Sequence, residues 1–150
     1  MIYYLIASIL IAVAALFART KRAVLAAGIL FYAVQIAAAG LLLWGGLYDT
    51  TSAAFFTFDA LGTLFYLLLV VVSMYVFGHS EAYLQGEDLR YYRLYFALLM
   101  LLTTAIAGAY FANNLAVTWI FLEATTLCSA GIIYHRRTAQ ALEATWKYIF

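Results

Sequence analysis

The stretch "VTWIFLEATTLCSAGIIY", residues 117–134, is apolar over nearly its whole length but carries a carboxylate, Glu123, close to its middle. A run of about 20 apolar residues is long enough to cross the hydrocarbon core of a bilayer as a helix. A charged side chain at the bilayer centre costs roughly 2.5–3.5 kcal/mol or more, so a helix that only anchors a protein would not contain one. The stretch therefore predicts a membrane helix with a functional acidic group.

The composition of the whole chain indicates an integral membrane protein embedded in a lipid bilayer. Hydrophobic residues make up 68% of the 150 residues, charged residues 10%, and proline is absent. No soluble core of this size requires such a balance. The net charge of +1 gives no sign of a nucleic-acid partner, and the single Cys128 excludes an intramolecular disulfide. The sequence contains no nucleotide loop, catalytic triad or metal cluster, so we expect no cofactor, no bound metal and no catalytic residue.

Charges and turn residues divide the chain into six helices of a single all-α transmembrane domain over residues 1–150, a polytopic helix bundle. The predicted helices cover about 2–18, 23–44, 59–77, 94–111, 115–134 and 139–150. Five are full spans, and the sixth is truncated because its length of ~18 Å is short of a ~30 Å hydrocarbon core. No basic residue precedes the first apolar run, so we interpret it as a retained helix and not a signal peptide. The segment "WGGLYDTTS" at 44–52 predicts a turn through Gly45, Gly46 and Asp49.

Basic residues predict the orientation of this bundle. They lie in the first, third and fifth connections, at 19–22, 90–93 and 136–137, whereas the second and fourth connections have none. By the positive-inside rule the odd connections face the cytoplasm. We therefore expect a multi-pass protein of the inner (cytoplasmic) membrane with its N-terminus outside.

Three charged residues are predicted to lie within the membrane. Glu123 lies about eight residues, ~12 Å, from the outer end of the fifth helix, and Lys147 about as far from the cytoplasmic end of the sixth. Glu143 precedes Lys147 by four residues and shares its helix face. Such groups can exchange a proton near neutral pH, so the sequence predicts a proton relay of Glu123, Lys147 and Glu143. The alternative is an ion pair that only fixes helix packing.

Other polar side chains are accessory candidates. His79 and His135 lie at predicted cytoplasmic helix ends and titrate near neutral pH, although solvated interfacial positions are the simpler interpretation. Asp59 is placed to cap the third helix by accepting from its first backbone N–H groups. Gln35, inside the second helix, can bond across helices or hold water. Tyrosines near the helix ends, Tyr4 among them, are assigned to the interfacial aromatic belt.

The run "NNLAVTWIFLEATTLCSAGIIYHRRTAQALEATWKYIF" resembles the fifth and sixth helices of a known superfamily. Its members are the antiporter-like membrane subunits of respiratory complex I, the membrane-bound hydrogenases and the multisubunit Na+/H+ antiporters. The motifs "LEATTL", "ALEATWKY" and "FFTFDALGTLFYLLL" are most similar to the F-type large subunit of hydrogenase-4.

The resemblance implies a function and a set of partners. Members have about fourteen helices, with two inverted repeats that each hold half of a proton channel. Glu123 matches the family's fifth-helix glutamate, and Lys147 matches the lysine of its "WKY" motif. The implied protein is a non-redox subunit that assembles with other membrane and peripheral subunits of a redox complex. An N-terminal fragment or split subunit of this kind is expected to transport nothing alone. The alternatives are a structural subunit needed for assembly and a Na+/H+ antiporter subunit.

Overall fold

A computed structural model describes residues 1–45 and 55–150, and these residues form six α-helices. The helices are α1 Ile2–Leu16, α2 Lys21–Leu43, α3 Ala60–Tyr83, α4 Leu89–Phe111, α5 Leu115–Ile133 and α6 Ala139–Ile149. The predicted all-α helix bundle is confirmed. The predicted turn begins at Gly45, which has a positive φ of 73° just after α2. Its other two residues, Gly46 and Asp49, lie outside the described residues.

Four of these helices, α2 to α5, are long and apolar enough to cross a membrane, which makes the chain a multi-pass membrane protein. Helix α1 is shorter than the predicted span, at 15 residues or ~22 Å. Helix α1 ends at Leu16, and α2 begins five residues later at Lys21. Thr20 caps α2 by accepting from the Ala23 N–H at 3.2 Å. The sequence predicted five full spans. In the described part of the chain, four helices are long and apolar enough to be full spans.

Helices α3 and α4 both extend into the polar stretch between them, which the sequence assigned to a loop. Helix α3 continues to Tyr83, and α4 already begins at Leu89. Hydropathy marks where a helix leaves the hydrocarbon, whereas the helix itself ends where its hydrogen bonds end. As a result, His79 lies on α3 and Arg90 on α4, and only residues 84–88 connect the two helices.

Helix α4 lies at the centre of the bundle and packs against α1, α2, α3 and α5, whereas α6 packs against α5. The α1–α2, α3–α4 and α5–α6 connections meet at one end, which we call the basic end. There, Lys21 Nζ donates to the Gln85 carbonyl at 3.0 Å, and Arg136 forms an ion pair with Glu87 at 2.7 Å. Consecutive helices therefore run in opposite directions, as the charge pattern predicts.

The opposite end of the bundle, which we call the distal end, is held by the segment that precedes α3. The Thr57 N–H donates to the Phe111 carbonyl and the Asn113 N–H to the Phe55 carbonyl, both at 2.8 Å. Asp59 Oδ1 accepts from the Gly62 N–H at 3.0 Å, so the predicted cap of the third helix is confirmed. These bonds fix the start of α3 beside the end of α4.

Candidate functional site

Glu123 lies near the middle of α5, on the side that faces away from the bundle. The helix begins at Asn114, whose side chain accepts from the Ala116 N–H at 2.9 Å, and Glu123 follows Leu115 by eight residues, or ~12 Å. Its side chain is exposed and makes no ion pair with the described residues. Trp119, Ile120 and Leu127, within about one turn, are also exposed. The carboxylate therefore stands in an apolar surface.

Lys147 and Glu143 are brought together on α6. Thr138 starts this helix by accepting from the Ala141 N–H at 3.1 Å. Lys147 lies one turn after Glu143, and its Nζ donates to Glu143 Oε1 at 2.7 Å. The side chains of Lys147 and Glu143 are 75% and 67% exposed. The structure thus joins two members of the predicted relay and leaves Glu123 apart from them.

The depth of these charges can be read from the helix lengths. Glu123 precedes the end of α5 at Ile133 by ten residues, ~15 Å, and Lys147 follows the start of α6 at Ala139 by eight, ~12 Å. Glu143 is ~6 Å from that same start. Helices α5 and α6 pack against each other and are joined by a short connection at the basic end. Measured from that end, Glu123 and Lys147 therefore lie at similar distances along their helices.

His135 is buried, so the prediction of a solvated interfacial position is wrong. Only 8% of the residue is exposed, and its ring meets the Tyr95 ring edge-on with centroids 5.3 Å apart. Nδ1 lies 2.8 Å from the Ile132 carbonyl, while Nε2 has no partner among the described residues. The chain turns back at Arg137, which has a positive φ of 53°, between His135 and the start of α6.

His79 is separated from His135 by its position on α3. It is exposed and stacks on Tyr75 of the preceding turn, with ring centroids 6.2 Å apart. The neighbouring Ser80 is buried, and its hydroxyl lies 3.2 Å from the Tyr95 hydroxyl. Ser80, Tyr95 and His135 therefore connect α3, α4 and the end of α5 at the basic end.

A second polar group, which the sequence identified only in part, lies inside the bundle on α1, α2 and α3. The Tyr4 and Tyr66 hydroxyls both donate to Gln35 Oε1, at 2.6 and 2.8 Å. The sequence indicated Gln35 but assigned Tyr4 to the interface and gave Tyr66 no role. An aromatic residue seven positions into an apolar helix was the available signal, since a membrane-buried tyrosine hydroxyl usually needs a partner.

Metal binding receives no support from the geometry of residues 1–45 and 55–150. No group of three or more His, Cys, Asp or Glu side chains in this part could hold a metal ion. Cys128 is a free, half-buried thiol on α5.

Comparisons with known proteins give a related sequence. The chain is similar to a hydrogenase-4 component F homologue of Methylacidiphilum infernorum (isolate V4), with 30% identity over 105 residues. The match covers 63% of this chain and 21% of the relative, so the chain spans about a fifth of the relative's length. No family model and no solved structure matches the chain. The similarity fits the superfamily of membrane subunits that the sequence motifs indicate.

Proposed function

We propose that this chain contributes a proton-translocation half-channel to a redox-driven membrane complex of the hydrogenase-4 or NADH:quinone oxidoreductase type. The relative is named as a hydrogenase-4 component, which supports a place in a multisubunit complex of that class. The relay residues are Glu123, Lys147 and Glu143. One observation carries the proposal: the Glu123 carboxylate, in the middle of an apolar, membrane-length helix, forms no ion pair within residues 1–45 and 55–150.

A carboxylate in this position is not explained by the packing of the chain itself. Facing lipid, Glu123 would be strongly disfavoured, and intramembrane acids almost always face a protein interior or a water-filled cavity. The side of α5 that carries it is therefore covered by another part of the complex in the membrane. A carboxylate that is enclosed there and has no ion-pair partner in the described part of its own chain can take up and release a proton.

The Lys147–Glu143 pair is suited to rearrangement. Both side chains are exposed and lie one turn apart, a geometry that stabilises a helix by only ~0.3–0.5 kcal/mol. Lys147 can therefore leave Glu143 at little cost and move toward Glu123, which lies at a similar depth on the neighbouring helix. A charge that alternates between two acids is what a relay requires, because each move changes which acid holds a proton.

The rest of the proposal concerns the membrane, the partner subunits and the two histidines. We place the protein in the inner (cytoplasmic) membrane, with the basic end toward the cytoplasm and the N-terminus outside. Its partners are other membrane and peripheral subunits. His135, whose Nε2 has no partner among the described residues, and the exposed His79 are accessory proton carriers in this arrangement.

The test is Glu123→Gln in the intact complex reconstituted in lipid vesicles. We expect redox turnover and assembly to persist, while proton uptake per turnover, followed with a pH-sensitive dye, falls to background. Asp88→Asn is the matched control, because Asp88 is an exposed carboxylate in the α3–α4 connection and should leave proton uptake unchanged. An unaltered proton-to-electron ratio in Glu123→Gln would refute the relay.

A structural role in assembly is the second candidate. It is favoured by the exposed apolar side chains of α5 and α6, among them Trp119, Trp146 and Ile149, which offer a large surface to neighbouring subunits. In that case Glu123 only locks helices together. Glu123→Gln would then prevent the complex from assembling and would cause no specific loss of proton uptake in whatever complex still forms.

A further inference from the structure

A groove between α2 and α3 opens on the surface of the bundle. Its cavity of about 340 Å³ lies within the size range of sites that bind small molecules. The lining includes Ile29, Ala33 and Ile36 of α2 and Met74 and Gly78 of α3, all of which are exposed. The groove is therefore an apolar site that is open toward the membrane.

The floor of the groove is a pair of aromatic rings that the bundle holds in place. Tyr32 and Phe77 meet edge-on, with ring centroids 5.2 Å apart. The Tyr32 hydroxyl donates to the Ser73 carbonyl at 2.8 Å, and the Phe77 ring lies so close over Gly28 that a Cβ atom would not fit there. Because the hydroxyl is bonded within the bundle, the floor offers its occupant an apolar surface.

The groove has the depth of one leaflet of a bilayer. From Arg22, the second residue of α2, to Ile36, the furthest lining residue of that helix, is 14 residues (22 to 36), or ~21 Å. A leaflet with its headgroups is about 20–22 Å thick, half of a bilayer of about 40–45 Å. Beyond Ile36 the two helices close, since Ala39 of α2 and Val70 of α3 belong to one buried cluster.

A basic side chain stands at the mouth of the groove, at the basic end. Arg22 precedes Ile29 by seven residues and Ile36 by fourteen, so the three share one face of α2. Arg22 is exposed and forms no ion pair with the described residues, whereas its neighbour Lys21 donates to the Gln85 carbonyl. A guanidinium is well suited to bind a phosphate group, because its N–H donors match the phosphate oxygens.

We propose that this groove binds one phospholipid of the leaflet at the basic end. One acyl chain lies along Ile29, Ala33 and Ile36, and the phosphate binds Arg22. A membrane helix of another subunit fits less well, because it crosses both leaflets and needs a groove about twice as long. Neither Glu123 nor Lys147 lines the groove, so the proposal goes beyond the proposed function and does not depend on it.

The test is photo-cross-linking in the intact complex reconstituted in lipid vesicles. Two probes carry the same diazirine-bearing acyl chain, one on phosphatidylethanolamine and one on diacylglycerol, which lacks the phosphate. Adducts are located by mass spectrometry of peptides from the digested complex. We expect the phospholipid probe to label residues around Ile29, Ile36 and Met74 about fivefold more than the diacylglycerol probe, since one arginine attracts an anionic group to this extent at a membrane surface.

Two results would overturn the proposal. Absence of adducts at α2 and α3, with their peptides detected, would indicate that a helix of another subunit covers the groove. Equal labelling by the two probes would show that the groove accepts any acyl chain and that Arg22 does not bind the phosphate.

Two pairs of variants test the geometry of the site. In Gly78→Leu the new side chain occupies the groove without a clash, because no atom of the described residues lies within 4 Å of the Cβ position, so labelling of α2 should fall to background. Gly40→Leu is equally open but lies one turn beyond Ile36, and it should retain the labelling. Arg22→Gln should lower phospholipid labelling to the diacylglycerol level, whereas Arg19→Gln, which removes the same charge from the α1–α2 connection, should not. Unchanged labelling in Gly78→Leu or in Arg22→Gln would refute the site.

Discussion

The close approach of α4 and α5 at Gly108 leads to a quantitative prediction about the helix that carries Glu123. A Cβ atom built on Gly108 would lie 2.4 Å from Cε1 of Phe121 and 2.6 Å from two further ring atoms. Carbon atoms pack at ~3.5–4.0 Å, so Gly108→Ala requires the ring, or α5 with it, to move by roughly 1.1 Å or more. Overpacking of this kind typically costs about 1–3 kcal/mol.

A matched glycine isolates that cost. Gly40 lies in α2, and no atom is within 4 Å of the position that a Cβ would take. Gly40→Ala should therefore raise the free energy of unfolding only by the difference in helix propensity between alanine and glycine, ~1 kcal/mol. Gly108→Ala gains the same helix propensity but also introduces the clash with the Phe121 ring. The free energy of unfolding of Gly108→Ala should therefore be lower than that of Gly40→Ala by about 1–3 kcal/mol.

The assay is unfolding by sodium dodecyl sulfate in mixed micelles, followed by tryptophan fluorescence. Trp119 reports on α5 directly, because it precedes Phe121 by two residues. Adding Phe121→Leu to Gly108→Ala should recover about 1–2 kcal/mol, since residues in contact show coupling of this size. Equal stability of the Gly108→Ala and Gly40→Ala variants, or a double-mutant cycle without coupling, would refute the contact.

Substitutions at three further positions test other contacts with the same unfolding assay. Asp59→Ala should lower the free energy of unfolding by about 1 kcal/mol because it removes the cap on Gly62, whereas Asp59→Asn should retain most of it. Arg136→Gln should cost at most ~1 kcal/mol, and the difference should shrink at high salt, since its ion pair is partly exposed. Tyr66→Phe keeps the ring but loses the bond to Gln35, so a loss of ~0.6 kcal/mol is expected; a loss above ~2 kcal/mol would show that the hydroxyl does more than bond Gln35.

The spans could be predicted from the sequence, but the ends of α3 and α4 could not. Apolar runs identify the part of a helix that lies in hydrocarbon, which is why the central parts of α2 to α5 agree with prediction. The continuation of α3 to Tyr83 depends on backbone hydrogen bonds in a polar stretch, to which hydropathy is insensitive. The Asp59 cap was readable because its partner is only three residues away.

Contacts between distant residues account for what the sequence missed in the sites. His135 packs against Tyr95, which lies forty residues earlier in the chain. Two residues later, Arg137 takes a positive φ that nothing in its residue type indicates. The bond between Tyr66 and Gln35 joins residues 31 positions apart on different helices. The sequence alone predicts that Gln35 bonds across helices, which the structure confirms, but it does not identify Tyr66 as the partner or His135 as buried.

The two polar groups in the membrane helices differ in a way that favours the relay over the structural alternative. Around Gln35, two phenols saturate one carbonyl oxygen inside the bundle, which is how a group that fixes helix packing is built. Glu123 shows the opposite arrangement, since it faces outward and forms no ion pair with the described residues, while Lys147 at a similar depth pairs with an exposed acid of its own helix. A helix lock would be expected to join Glu123 and Lys147 and bury both. The proposed proton exchange instead requires an accessible acid and a weakly held base at similar depths on neighbouring helices, and Glu123 and Lys147 meet that requirement.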